Sequence, residues 1–358
     1  MFLVPYPIES APSQRYRFEQ YLEHLSENGF SWDFYAFFDQ STWDVLYKEE
    51  HFSIKIAGTI FGLAKRFLLL FRIRKYNWVF IHREAIPFGP PWYEWVLHRI
   101  FNKRLIYDFD DAIWLKQTSE ANTWAGLVKP RDKTAKICGM SEKICVGNFY
   151  LASYARNYNQ HVTVIPTTIN TTSKHSQVKK HNANDKIVIG WTGTHSTIPY
   201  LDLVVDAIAA LERSYSIRFM IICDKPPDFK LKSMEFKEWS KEEEVEDLMQ
   251  FDIGLMPLPK SEWALGKCGL KALQYMALGI PAVVTGFGAN VHIVTHGVEG
   301  FQCHSESDWV KYIEMLIINS KLRKQMGVQG REKVVNKYSV ESNFQSFVSL
   351  FGSGSSNG

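Results

Sequence analysis

GKCGLKALQYMALGIPAVVT, residues 266–285, joins a helix-length amphipathic segment to a short β-branched run. At about 100° per residue, Lys267, Lys271 and Gln274 fall in one narrow helical stripe, and Leu270, Leu273 and Ala277 form the apolar stripe beside it. A helix start is the electropositive end, where lysines are ordinarily disfavoured. Gly266 and Gly269 let another backbone approach closely. Unsatisfied amides near Cys268, Gly269 and Leu270, the dipole and two ammonium groups together make an anion site. A bound phosphate resolves the charge conflict; the alternative is a solvated lysine face on an ordinary helix.

Working outward, short β-branched and aromatic runs alternate with longer amphipathic ones. Strands are expected at FLVPY from Phe2, WDFYAFF from Trp32, WVFIH from Trp78, RLIYDFD from Arg104, KICVG from Lys143 and VTVIP from Val162. A polar stretch without apolar periodicity, residues 169–185, reads as a linker. A second alternation follows: KIVIGW from Lys186, RFMIICD from Arg218, IGLMPL from Ile253, PAVVT from Pro281 and GFQCH from Gly300. Leu201, Val204, Val205, Ile208 and Leu211 predict a helix over 200–213. This is the rhythm of mostly parallel α/β sheets. At 358 residues the chain exceeds what one core usually serves, so two domains are expected. Their boundaries are 1–170 and 186–338, with 171–185 as linker. A helix is expected over 339–351, and 352–358 is expected to be a disordered tail. Two such domains suggest a ligand in the cleft between them.

Composition narrows the classes. Hydrophobic residues make up 46% and charged residues 22%, which excludes a disordered or collagen-like chain. A net charge of +3 does not argue for nucleic acid. Five scattered cysteines without a CxxC pair point to a reducing, cytoplasmic compartment and no zinc site. MFLVPYPIES has no basic region and only a short apolar run, so it does not read as a signal peptide.

KIVIGW runs into TGTHSTIPY, with Gly190 and Gly193 at the turn. Ser196 or Thr197 can cap the next helix, and Pro199 suits its first turn. A dinucleotide fold, with Asp224 taking a ribose, is the alternative; it lacks GxGxxG. YDFDDAIW places Asp108, Asp110 and Asp111 at a strand end, where open α/β sheets keep functional groups. Carboxylates so close should raise one another's proton affinity. A capped turn is the alternative. Arg15 and Arg17 open another helix and suit an anionic acceptor or donor phosphates, or else Arg15 pairs with Glu19 on the surface. Arg83 and Glu84 end the strand WVFIH.

The ordered set VTVIPTTIN, FDIGLMPLP, GLKALQYMALGIPAVVT, GVEGFQC and YSVES resembles the retaining GT-B glycosyltransferases of glycosyltransferase family 4. The resemblance runs from about residue 162 to 351. It implies an α/β GT-B fold, two Rossmann-like domains with mostly parallel sheets facing a cleft, which would return the helix expected over 339–351 to the first domain. It implies hexosyl transfer from a nucleotide-sugar, UDP- or GDP-linked, to a glycan or lipid-linked acceptor, with retention and without a metal or cofactor. Polysaccharide synthesis at the cell surface is the expected setting. The donor site then comprises Gly193, Thr194, His195, Lys267, Cys268, Gly269, Leu270, Lys271 and Gln274. Asp110 and Asp108 are the catalytic candidates; Arg15, Arg17, Arg83, Glu84 and Asp111 face the acceptor. The two glutamates usual in the donor helix are Gly266 and Gln274 here. The rivals are a non-catalytic scaffold or donor-binding subunit and a sugar-nucleotide epimerase.

Residues 54–78 are very apolar and carry Lys65, Arg66, Arg72, Arg74 and Lys75. Such a helix either lies on an anionic membrane or covers the sheet with its arginines solvated. Lipid-linked acceptors would bring the first domain to the inner face of a membrane.

Overall fold

The computed structural model describes residues 1–48, 50–115, 130–181 and 186–352. The expected tail and the end of the expected linker, 353–358 and 182–185, lie outside them. Two compact units emerge, Met1–Thr167 with Phe344–Gly358, and Thr168–Asn343.

The first unit is built on a parallel sheet of β1 (Phe2–Val4), β2 (Phe34–Ala36), β3 (Trp78–His82), β4 (Arg104–Phe109), β5 (Lys143–Val146) and β6 (Val162–Val164). Its order is β2-β1-β3-β4-β5-β6. β1 sits between β2 and β3, with Phe2 opposite both Phe34 and Phe80. The winding therefore reverses between β1 and β3, and a crevice opens outside their carboxyl ends. One sheet face carries an aromatic core. Phe2 lies 5.4 Å from Phe18 and 5.0 Å from Phe80, ring to ring, and Phe347 of the C-terminal helix Val340–Val348 stacks on Tyr21 at 4.4 Å.

The helix Phe52–Leu69 packs on the sheet, but not with its arginine, Arg66, solvated as expected. Its packed side carries Gly58, Gly62 and Arg66. A Cβ on Gly62 would fall 2.7 Å from the Phe37 ring, so the glycine sets the close approach. Arg66 is buried, donating from Nε to the Ala85 carbonyl (2.8 Å) and from Nη2 to that of Val4 (3.0 Å). Burial lowers its pKa to about 10. Most of the large apolar side chains of this helix face outward, while Leu69 at its end is buried.

The second unit holds β7 (Ile187–Thr192), β8 (Ile217–Cys223), β9 (Met234–Glu238), β10 (Ile253–Met256), β11 (Ala282–Thr285) and β12 (Gly300–Cys303). The order β12-β11-β10-β7-β8-β9 reverses between β7 and β10. Ile189 of β7 is opposite Phe219 on one side and Ile253 on the other. Every residue of β7 is buried, as its continuous apolar run requires. Trp191, Phe219, Ile221, Leu255, Val283 and Ile313 lie in its core.

Three sequence expectations change here. β9, MEFKE, is polar and only partly buried; as an edge strand it needs no apolar run. The helix expected over 200–213 is a 3-10 segment His195–Leu203 followed by an α-helix Val205–Leu211. The described part of the expected linker is docked on the second unit. Arg331 donates to the Thr171 carbonyl at 2.8 Å, the Lys179 amide donates to that of Leu278 at 2.8 Å, and His175 is buried.

Candidate functional site

The donor-site candidates gather at the switch point of the second sheet. β7 ends at Thr192, and the Gly193 amide donates to the Ile222 carbonyl at 3.0 Å. A Cβ at Gly193 would lie 2.4 Å from the Trp191 ring and 2.7 Å from Thr197 Oγ1, so only glycine fits without rearrangement. Thr194, rather than Ser196 or Thr197, is the N-cap, in a reciprocal capping box with Thr197. Asp224, just past β8, accepts from the His195 amide (2.6 Å) and lies 2.5 Å from His195 Nδ1. Burial opposes the charge of Asp224, but these bonds hold its carboxyl below the ordinary range. Its oxygens organise the turn after β7, which disfavours the ribose role of the dinucleotide alternative.

The helix start lies elsewhere than the stripe of lysines suggested. The helix is Leu270–Ala277, with Gly269 as N-cap at φ 70°. Lys267 and Cys268 therefore precede it, on a turn after the short helix Glu262–Leu265. Lys267 Nζ lies over the Trp263 ring at 4.9 Å. Lys271 is in the first turn, partly buried, and reaches toward the β7 side of the switch point. Its Nζ stands 4.7 Å from the Trp191 ring centroid and 3.4 Å from Thr197 Oγ1. Burial first, then the like charge of Lys267, lower its pKa to about 7. Among the described residues no carboxylate pairs with it, and no side chain caps this helix start. Gln274 is buried, so its amide is not presented at the surface. Trp191 is a site residue the sequence pattern did not single out, and Thr197 was expected only as a helix cap. Both lie in quoted stretches, but their approach to Lys271 spans about eighty positions.

Gly269 holds a left-handed conformation that L-residues disfavour by about 1–2 kcal/mol, and a Cβ there would meet Ile293 Cδ1 at 2.1 Å. Gly269→Ala is expected to lower stability by about that amount. It should also weaken any anion binding at this candidate site by displacing the first turn. Thermal melting and titration read the two effects separately.

In the first domain the predicted residues divide. Asp108 is 1% exposed and lies inside the fold. It accepts from Arg17 Nη2 at 2.6 Å, and its other oxygen is 2.6 Å from His82 Nδ1. Arg17 also donates to the Ile165 carbonyl. Although burial opposes the charge, Arg17 and His82 hold the Asp108 carboxyl well below its usual range. The expected rise from neighbouring carboxylates is thus reversed. Asp108 and Arg17 are a buried ion pair, not surface groups awaiting an acceptor. Arg15 and Glu19 are buried as well, so any pairing between them is not on the surface.

Arg83, Asp110 and Asp111 remain partly exposed beyond β3 and β4. Asp110 Oδ1 accepts from Arg83 Nε (3.0 Å) and Nη2 (2.8 Å); Asp111 Oδ2 accepts from Nη2 (2.8 Å). Arg83 has φ 58°, uncommon for a non-glycine residue. It is held there by its amide donating to the Asp108 carbonyl (2.7 Å) and by Tyr107 Oη donating to its own carbonyl (2.8 Å). Strained residues of this kind concentrate at functional sites. Glu84 pairs with buried Lys133 at 2.7 Å.

Residues 186–319, the strands and helices around Lys271, match the family model described as Glycosyl transferases group 1. A search of curated protein sequences finds no match. The chain is similar to the solved sucrose-phosphate synthase from Thermosynechococcus elongatus, with TM-score 0.72 and 13% identity over 98% of each chain. It is similar to a glycosyltransferase from Rickettsia africae, with TM-score 0.69 and 11% identity over 100% of this chain and 98% of that one. Anabaena HepE, solved with UDP and glucose, has TM-score 0.61 and 12% identity over 92% of this chain and 88% of that one. The fold is GT-B. The match and the fold together support a GT-B glycosyltransferase.

Proposed function

We propose that this protein transfers a hexose from a UDP- or GDP-sugar to a hydroxyl of a glycan or lipid-linked acceptor, with retention, in cell-surface polysaccharide synthesis. The observation that carries the reading is Lys271. It is a lysine in the first turn of a helix without a side-chain cap, beside a second lysine, at a sheet switch point, with no carboxylate partner among the described residues. A diphosphate supplies the missing negative charge. Amides of the first turn and Lys271 then stabilise charge developing on the leaving phosphate. The HepE complex with UDP and glucose supports a nucleotide-sugar as the ligand class. Asp110, held by Arg83, is assigned to orient the acceptor hydroxyl in the first domain. A lipid-linked acceptor brings that domain to a membrane surface.

A donor-binding subunit without transferase activity is the second reading. It is favoured by Gly266, which has no side chain, and by the burial of Gln274, where glutamates would be usual. Two measurements decide. In a thermal-shift panel of UDP-, GDP- and ADP-sugars, the true donor at a hundredfold excess over its Kd adds about 2.7 kcal/mol of stability. Asp110→Asn is expected to keep that affinity while lowering transfer by about a hundredfold or more. Unchanged turnover removes Asp110 from the mechanism. Donor binding without any transfer selects the second reading, and donor turnover without acceptor selects an epimerase.

A further inference from the structure

The helix Phe52–Leu69 is assembled inside out. Its packed side is Gly58, Gly62, Arg66 and Leu69, while Ile56, Ile60, Phe61, Phe67, Leu68 and, in the next turn, Phe71 are all exposed. Phe71 is 75% exposed and Leu68 63%. The orientation is fixed by the packed side. A Cβ on Gly58 would fall 1.9 Å from Thr42 Oγ1, and Arg66 is bonded to two carbonyls at the sheet. The apolar stripe therefore cannot rotate inward without burying side chains where only hydrogen fits.

The charged side chains of the segment itself are all basic, and among the described residues Lys75 alone of those bordering the stripe meets a carboxylate, Asp33, at 2.9 Å. From His51 to Arg83 the sequence holds no aspartate or glutamate. Lys55, Arg72, Arg74 and Lys75 border the stripe, and Arg72 and Arg74 are exposed without carboxylate partners among the described residues. The segment Trp92–Ile100 lies alongside: Lys103, three residues past it, donates to the carbonyls of Arg74 (3.3 Å) and Tyr76 (2.7 Å). This segment adds exposed Trp92, Trp95 and Ile100, together with Arg99. Tryptophan and basic side chains around an apolar stripe are what the headgroup region of an anionic bilayer accommodates. Among the described residues no helix is long and apolar enough to cross a membrane.

We infer that this face of the first domain seats on an anionic phospholipid bilayer. The stripe enters the acyl boundary, and Arg72, Arg74 and Arg99 lie at the headgroups. The inference rests on the membrane approach proposed above and names its surface, but it does not require that sugar transfer occur. Charge complementarity selects lipid as the occupant. A second copy would oppose one predominantly basic surface, in which Asp33 pairs with Lys75, to another.

The test is co-flotation of the full chain with phosphatidylcholine vesicles, with and without phosphatidylglycerol. Binding is expected only with phosphatidylglycerol and should weaken as salt rises. Phe67→Ser with Phe71→Ser should reduce partitioning by about tenfold or more, and Arg72→Glu with Arg74→Glu should abolish the preference for phosphatidylglycerol. Both variants should keep the wild-type melting temperature, since these side chains are solvated, and the wild-type UDP titration. No vesicle binding by the wild type overturns the inference. So does equal binding to both vesicle types. A salt-independent wild-type dimer that the phenylalanine variant dissociates, with no vesicle binding, also overturns it and makes the face a protein interface. Loss of UDP binding in every protein, with flotation intact, counts against the donor site alone.

Discussion

Arg17→Met is expected to destabilise the protein by about 3–5 kcal/mol, because it leaves the Asp108 carboxylate buried without its cationic guanidinium partner, beside His82 and Cys145. Whole domains are stable by only about 5–15 kcal/mol, so the first domain should be partly unfolded at physiological temperature. Urea denaturation followed by fluorescence measures the loss. The pH dependence identifies the cause. Asp108 has a folded-state pKa below its unfolded value of about 3.9. Its favourable contribution is therefore complete above that unfolded value and disappears as pH falls through the lower folded one. In Arg17→Met this acid-side loss should shrink, since the guanidinium that depresses the carboxyl is gone. Arg17→Met combined with Asp108→Leu should recover much of the stability, as an apolar pair often replaces a buried ion pair at little cost. A wild-type denaturation midpoint for Arg17→Met would show that the pair carries no stability. An Arg17→Met variant that stays folded but loses acceptor use would restore Arg17 to the acceptor site.

Lys271→Ala should weaken binding of UDP or GDP by one to two decades, since a charge-assisted hydrogen bond contributes roughly 1.5–3 kcal/mol. The pH profile is specific to this lysine. In the unliganded protein its pKa is about 7, set by burial and by Lys267. A bound diphosphate favours the ammonium and raises that value, so binding takes up a proton above pH 7. Affinity should then fall as pH rises, by up to about tenfold per unit, and this slope should vanish in Lys271→Ala. Calorimetry in buffers of different ionisation enthalpy reads the proton directly. For the unliganded fold the sign is opposite to that of Asp108. A lysine whose pKa is lowered from about 10.4 by folding costs stability below its folded pKa, and the cost is relieved as pH rises toward the unfolded value. Lys271→Ala should therefore melt no lower than wild type near pH 6. Lys267→Ala removes the neighbouring like charge and should move the onset of the affinity slope upward in pH. Normal diphosphate affinity in both variants would leave the lysines a solvated face. Melting well below wild type without ligand would make Lys271 a structural group.

Local sequence sufficed for most of the fold because buried strands declare themselves. KIVIGW, PAVVT and WVFIH are continuous apolar runs, and a parallel sheet covered on both sides admits little else. β9 was not legible because an edge strand is half solvated, and MEFKE has the composition of a surface turn. The glycines of the donor turn were visible as spacing, and so were the two lysines. Their placement was not: whether Lys267 lies in the helix depends on Gly269 adopting φ 70°, a backbone choice that spacing does not encode.

The sequence by itself determined the α/β alternation, the two-sheet organisation and the concentration of cations and glycines at the donor turn, because these follow from periodicity and residue type. Tertiary structure alone decided between Asp108 and Asp110. They are two positions apart and chemically identical, and Arg17, ninety-one residues away, together with His82 holds the first in the interior, while the second is left with Arg83. It also decided which side of the helix Phe52–Leu69 meets the sheet. Hydrophobicity favours burying the phenylalanines, but close approach at Gly58 and Gly62 and the carbonyls awaiting Arg66 are properties of neighbours distant in sequence, and they win because a packed interior has no room for any other side.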